Sequence, residues 1–458
     1  MKNGNWTLEN LKSHLNARKT IKGWIIVQEH LQRRERYFLR EGKALAIDQD
    51  RLVNMHSLSA KLMIQHPDRP DRQGEITKKL FPALSLSEQI DSAIESALQT
   101  DHQTWSLPAE IPAQLPQLKS SDPRIGEDIE KVMQQLTAQI EQAVSKSRKS
   151  EFNSAELFLS NHARELHVSN GLTHRYSQSR VYVEAAYSFR KANAQGEMQS
   201  DEYLSTQWAV SLDDLPIQKL FEETADHAEH SLDTEKPPTA HYPVIVSADV
   251  LATLFNGHVS QLTAVNAYNG LPSLKVGSDF IPNAKGDLLT ITLDPTLDFG
   301  ADTLAVSSQG VAQRPLKLVE KNRVLACAAD RQHAEYLKIA PSTIRGSVVV
   351  EPGSLSYAEL KTSAPRVLEI LQFSGLFADP NSGTFSSEIR LARLYDNVTG
   401  ETKYIKGGSL SGSIVDNFQG IKLSKNRVKH AHFSAGSPDG QGYFGPEHAL
   451  LSNVSVVS

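Results

Sequence analysis

The chain has 458 residues, a net charge of −5 and a pI near 6.4, which excludes the strongly basic face that a nucleic-acid footprint needs. That length suits two or three domains with a core that requires no disulfide or metal staple. The single cysteine, Cys327, rules out an internal disulfide framework and fits a reducing compartment. Residues 1–6 open without the apolar core of a signal peptide, and no apolar run approaches the ~20 residues that cross a bilayer. The expectation is a cytoplasmic protein with neither a membrane nor a nucleic-acid partner.

Thr7 reads as the N-cap of a short helix over residues 7–18, with Leu8, Leu11 and Leu15 on one face. Residues 23–28, 36–40, 43–48 and 55–65 read as strands, with Glu41-Gly42 as a turn between two of them. Ser85-Leu86-Ser87-Glu88 forms a capping box ahead of Leu86, Ile90, Ala93, Ile94, Ala97 and Leu98 at helical spacing. Pro108, Pro112, Pro116 and Pro123 mark an extended segment that cannot join a central strand. A long amphipathic helix follows, its stripe running through Ile125, Ile129, Val132, Met133, Leu136, Ile140, Ala143 and Val144. Over residues 154–190 the period is two, and Asn170-Gly171 marks a hairpin. A further helix spans about 215–232.

The polar stretch 233–240, with Pro237-Pro238, sets the expected domain boundary. Residues 1–236 form an N-terminal domain of helices and antiparallel or mixed strands, and residues 237–458 a strand-rich C-terminal domain. Strands are expected at 288–293, 316–320, 324–329, 347–351, 386–395 and 403–405, with glycine and serine between them. Helix and strand alternate only loosely, so the fold class is α+β and not doubly wound.

None of the 16 histidines is followed by glutamate, so the chain holds no zinc helix of the His-Glu type. His227 and His230, with Glu223 and Glu229, lie on the polar side of helix 215–232 and read as a solvated face. His430 and His432 would share one face of a strand, a geometry some metal sites use, and Glu447-His448 would complete it; the plainer reading is a pair of surface histidines. Cys327 sits in the apolar run 324–329 as a small core residue. The basic run 422–430 is short and mixed, as in a solvated strand or loop. The Gly/Ser loops 374–387 and 407–413 are either tight turns or a rim where Gly383 and Gly412 admit a peptide backbone.

After the apolar strand 243–246 comes Val250-Leu251-Ala252-Thr253-Leu254-Phe255-Asn256-Gly257-His258. It resembles the zinc helix of the TldD/PmbA family, roughly V-L-L-H-E-x-x-G-H. Asp294-Pro295-Thr296, Gly310-Val311-Ala312 and the stretches 315–322, 347–353, 379–386 and 407–412 resemble further signatures of that family. The N-terminal half matches only in its order of elements. In the family's active subunit two histidines and a C-terminal cysteine hold zinc, and the glutamate is the base. Here Thr253 and Leu254 replace the first histidine and the glutamate, Ser308-Gln309-Gly310 stands for an acidic D-E-G, and 434–441 brings no cysteine.

The resemblance therefore implies the PmbA (TldE) branch. It implies no catalytic residue and no metal in this chain, vestigial metal-helix positions Thr253, Leu254 and His258, and zinc in a TldD-like partner subunit. Such members are implied to help enclose unfolded or small peptide substrates, and are named modulators of DNA gyrase through processing of peptide toxins and antitoxins. On that reading Asn381, Ser382, Gly383, Ser411 and Gly412 form a peptide-binding rim, in a heterodimer with the TldD-like subunit or in a homodimer. Two other readings stand beside it: an active metal-dependent hydrolase with its site moved to His430 and His432, and a homo-oligomeric peptide-binding scaffold.

Overall fold

A computed structural model describes residues 6–41, 44–146, 149–272, 274–434 and 440–458. Gly42 and Lys43, at the first expected turn, and residues 435–439, in the stretch matched to the cysteine turn, lie outside the described residues. The first half of the chain runs α1 (Leu8–Asn16), β1 (Ile21–Glu41), β2 (Ala44–Gln65), β3 (Arg72–Lys79), α2 (Leu86–Ala97) and β4 (His102–Gln103). It continues with α3 (Pro123–Glu127), α4 (Ile129–Ser145), β5 (Glu151–Val168), β6 (Thr173–Ala192), β7 (Met198–Ala209) and α5 (Ile217–His230). Then follow β8 (Thr234–Glu235), β9 (Ala240–Ser247), α6 (Ala248–Val259), α7 (Ala264–Tyr268), β10 (Ile291–Asp294), β11 (Leu316–Glu320), β12 (Arg323–Val324), α8 (Arg331–Leu337) and β13 (Ser347–Val350). The chain closes with α9 (Tyr357–Lys361), β14 (Arg366–Phe373), β15 (Phe377–Ala378), β16 (Thr384–Asp396), β17 (Glu401–Ile405), β18 (Ser409–Ser413), α10 (Ile414–Asn417), β19 (Lys422–Leu423), β20 (Arg427–Phe433), β21 (Gly440–Pro446) and β22 (His448–Val457).

The four short strands expected before residue 65 are two long ones. β1 and β2 pair antiparallel from Ile21↔Ile64 to Glu41↔Ala44. Their polar middles lack hydrophobic alternation, but β1 lies between β2 and β5, and its charges pair across strands. Arg34 and Arg36 reach Asp50 at 2.9 and 2.7 Å. β3 and β7 carry equally polar runs, and strand pairing alone reveals them. Thr7 caps α1, and the Ser85 hydroxyl takes the Glu88 amide at α2. The expected long helix is split: Pro123 starts α3, and Asp128, at φ −154°, ends it and caps the Lys131 amide at 3.0 Å to start α4. The Asn170-Gly171 hairpin joins β5 to β6, with Gly171 at φ +97°.

Two sheets organise the α+β fold. A 13-stranded sheet has the order β12-β11-β10-β13-β21-β20-β7-β6-β5-β1-β2-β3-β4. It passes from the C-terminal to the N-terminal half through one backbone pairing, Ala431↔Trp208. Apolar clusters bind α1 and α2 to β1 and β2, and α4 and α5 to β5–β7. In the nine-stranded sheet, β16 pairs with β18 through residues 384–388 and with β14 through residues 389–396. With β14–β9, β9–β22 and β22–β18 also paired, those five strands close a ring. The main core lies against it and includes Val244, Leu368, Ile389 and Leu451 with Leu251, Leu254 and Phe255 of α6.

Two expectations are corrected. Only Val324 of the run 324–329 is strand, as the end of β12, and Cys327 is half-buried where the chain has left the sheet. The polar side of α5 is solvated only in part. Glu223 is exposed, but His230 stacks on Tyr404 of the second sheet at 4.1 Å and His227 meets Tyr203 of the large sheet edge-on at 5.0 Å. The basic run 422–430 is, as expected, strand and loop with exposed residues: Lys422–Leu423 is β19, Arg427 begins β20, and Lys425 and Lys429 are exposed. Among the described residues no helix is long and apolar enough to cross a membrane.

Candidate functional site

β9 runs into α6 with Ser247 as the N-cap, and the helix dips its apolar positions into the main core. This orientation decides what the zinc-like positions can do. Thr253 is exposed, and its hydroxyl donates to the Asp249 carbonyl at 3.1 Å, one turn back in its own helix. Leu254 is 0% exposed in the core. His258, four residues on and therefore on the same buried face, is 2% exposed. Its Nε2–H donates to the Phe280 carbonyl at 3.4 Å, and its ring meets Phe280 edge-on at 4.7 Å. Among the described residues Nδ1 is left as a buried acceptor without a partner. Burial pulls the imidazole below its ordinary pKa, with the Phe280 carbonyl acting in the other direction.

A catalytic zinc needs three protein ligands and an open position. The helix offers one imidazole, a hydroxyl facing solvent and an alkyl chain, so these positions do not fit the ion. Among the described residues no group of three His, Cys, Asp or Glu side chains converges as a metal site. His430 and His432 do lie two apart on β20, opposite Tyr443 and Gln441. His430 is half-buried and His432 exposed. Burial and His432 pull His430 below its ordinary pKa, against the Asp249 carboxylate. His448 stacks on Tyr357 at 4.5 Å, and its buried Nδ1 has no hydrogen-bond partner among the described residues.

The predicted rim residues and the zinc-like helix meet at the His258 end of α6. Gln261 donates to the carbonyls of Pro380 and Asn381 at 2.6 and 3.3 Å. Asp379 organises the turn: it accepts from the Asn381 amide at 2.9 Å and the Ser382 hydroxyl at 2.7 Å, which hold its carboxyl below the usual range. Gly383 adopts φ +70° and closes the turn, and a side chain there would approach His258 Nδ1. The Ile414 amide donates to the Gly383 carbonyl at 2.8 Å, tying the turn to the end of β18. Register places Ser411 opposite Ser386 and Gly412 opposite Phe385. A Cβ on Gly412 would lie 2.2 Å from Asn417 Oδ1 and 2.5 Å from Phe385 Cζ, so the chain's own side chains occupy that space. Asn381, Ser382 and Ser411 are exposed.

Sequence reasoning missed two groups. Asp249, in the first turn of α6, acts on both His430 and His448. Glu369 is 4% exposed and accepts from the hydroxyls of Tyr395, at 2.5 Å, and Tyr357, with Arg393 at 3.7 Å. A lone carboxylate inside the apolar run Val367-Leu368-Glu369-Ile370-Leu371 was the available signal.

A closed strand ring and a strand–helix unit ending in Gly-His distinguish the C-terminal half. Residues 239–458 match the PmbA/TldA metallopeptidase C-terminal domain. This C-terminal part of the chain thus carries a domain of the TldD/PmbA family. In fold it is similar to TldE from Thermococcus kodakarensis, at a TM-score of 0.78 and 16% identity over 98% of this chain and 100% of that one. It is similar to a protein described as a modulator of a DNA gyrase from Thermotoga maritima, at 0.76 and 17% over 99% and 100%. A third similar structure, described as a modulator of DNA gyrase, comes from Bacteroides thetaiotaomicron, at 0.73 and 15% over 98% and 99%. A comparison with curated protein sequences found no match.

Proposed function

We propose that this chain is a non-catalytic, peptide-binding subunit working in the cytoplasm beside a zinc-bearing TldD-like partner. One observation carries the reading: the position of the family's catalytic glutamate is Leu254, and it is sealed in the core. A zinc peptidase needs a metal to acidify its water and a carboxylate to take the proton. Neither Thr253 nor Leu254 can supply these, and the only cysteine of the chain is Cys327, on a different element. What remains is a pinned turn whose exposed Asn381 and Ser382, with Ser411 beside it, offer hydrogen-bonding groups to a peptide. Such a surface serves recognition without any catalytic side chain. The similarity to a TldE supports the choice of partner.

The test is elemental analysis of the pure chain, together with cleavage of an unstructured peptide by the chain alone, by a TldD-like partner alone and by both. The expected result is no stoichiometric zinc, no turnover by the chain alone, and co-purification and cleavage when the two are mixed. About one zinc per chain, or chelator-sensitive turnover lost on His430→Ala with His432→Ala, overturns it.

A further inference from the structure

The large sheet has an open edge. β3 pairs with β2 only from Ser59 to Gln65, so the stretch of β2 before Ser59 is bonded to β1 on one side and, among the described residues, to no strand on the other. Among the described residues no loop backbone reaches the outer side of residues 49–57 either. Their side chains stand in solvent: residues 49–52 and 54–56 are exposed, Leu52 by 55% and Met55 by 53%. A row of unpaired N–H and C=O groups is a template for another strand.

Edges that must stay free are blunted by bulges, charges or proline. β2 has one bulge, at Asp48, where the register shifts between Tyr37↔Gln49 and Phe38↔Ile47. Its nearby charges are engaged within the chain. Asp50 holds Arg34 and Arg36, and the Arg51 guanidinium lies over the Tyr37 ring at 5.4 Å. From Leu52 to Leu58 there is no proline, lysine, arginine or carboxylate. The stretch free to pair is therefore 49–58, between the bulge and the start of the β3 pairing.

We propose that this edge binds a second copy of the chain, antiparallel over residues 49–57 with Val53 on the two-fold axis, so that the large sheet continues from one protomer into its partner. A two-fold axis through a sheet keeps each face on its own side, so the pairing sets one residue opposite itself. Centred on Val53, it sets Gln49 opposite Ser57, Asp50 opposite His56, Arg51 opposite Met55 and Leu52 opposite Asn54. No like charges meet, and each Asp50 carboxylate faces an imidazole that can donate to it. Centring on Asp50 or Arg51 would oppose like charges, and centring on Asn54 would set Asp50 against Leu58. A foreign strand would find the same backbone groups without the Asp50–His56 match. A ladder of this length forms about nine backbone hydrogen bonds, near the ~10 of a typical protein interface. The pairing requires neither zinc nor a TldD-like subunit, so it stands or falls apart from the proposed partnership.

The test is sedimentation velocity of the full chain over a range of concentrations, for the parent, Val53→Glu, Val53→Lys and an equal mixture of the two variants. The parent should reach twice the 50.6 kDa chain mass. Each variant should stay at the single mass, because like charges then meet on the axis. The mixture should return to the double mass. Val53 lies opposite Arg33 of its own chain, so a glutamate there has a cation beside it within the protomer. If either variant does not fold, Val53→Cys decides. Residues opposite each other in an antiparallel pair lie within disulfide reach, so mild oxidation should cross-link this variant and not the parent. A parent that stays at the single mass, whether or not its edge takes up an extended peptide, overturns the assignment. So do variants that dimerise like the parent, a mixture that stays single, or a Val53→Cys chain that forms no cross-link.

Discussion

Rebuilding the family's helix side chain by side chain should damage the protein before it restores any chemistry. The informative pair is Thr253→His against Leu254→Glu. Thr253 is exposed and bonds only to its own helix, so a histidine there should change stability by no more than about 0.5 kcal/mol. Leu254 is 0% exposed among Leu251, Phe255 and the ring strands. Removing its side chain from that setting forfeits roughly 1.5–3 kcal/mol of burial. Placing an ionised carboxylate there adds a desolvation penalty of several kcal/mol, which the buried His258 ring one turn on, held below its ordinary pKa, offsets only in part. Together these reach on the order of 5 kcal/mol or more, a large part of the ~5–15 kcal/mol that holds a typical domain. Urea unfolding followed by tryptophan fluorescence measures both variants. The Thr253 variant should unfold with the parent, and the Leu254 variant should be largely unfolded or insoluble. A folded Leu254→Glu chain within about 1 kcal/mol of the parent would mean that this face of α6 is open to water, and the reasoning about the site would fail.

Two further outcomes follow from the geometry. Gly412→Ala should cost about 1–3 kcal/mol through its clash with Asn417 and Phe385, whereas Gly375→Ala, with open space around it, should be near neutral; thermal unfolding of the two distinguishes a packing glycine from an incidental one. His227 is held at a pKa of about 4, first by burial and then by Arg393, below the 6.5 of the unfolded chain. The unfolded state therefore binds the extra proton between pH 6.5 and 4, and this contribution is fully present above that window and lost as pH falls through it. His227→Gln should flatten the decline of the urea midpoint over that range, and an unchanged slope would refute the assignment.

Local chemistry was legible in the sequence wherever it decided the outcome alone. Asn170-Gly171 fixed a hairpin because only a residue tolerant of positive φ fits there, and the stripe from Ile129 to Ala143 fixed α4 because its period survives any packing. The zinc-like helix was also legible as a helix, and its missing ligands as missing. Which way it faces was not, because Leu254 and Thr253 are adjacent letters and only the core places one inside and the other in water. The polar middles of β1 and β2 hid two continuous strands, since their support comes from neighbours across the sheet. The histidines of α5 looked solvated because the surface that covers them, Tyr404 and Arg393, comes from far along the chain.

The ring of strands also sets an order of events during synthesis. β9 needs β22 on one side and β14 on the other, and β22 in turn bridges to β18. The ring thus joins residues near 240 to residues near 457, and it cannot close until β22 has been made. Until then β9 and the apolar face of α6 wait without their cover, while the hairpins β1–β2 and β5–β6, whose partners are adjacent in the chain, can already form. A stalled or shortened chain would thus present a finished N-terminal sheet joined to an open, adhesive half-ring, the kind of species that engages chaperones or aggregates.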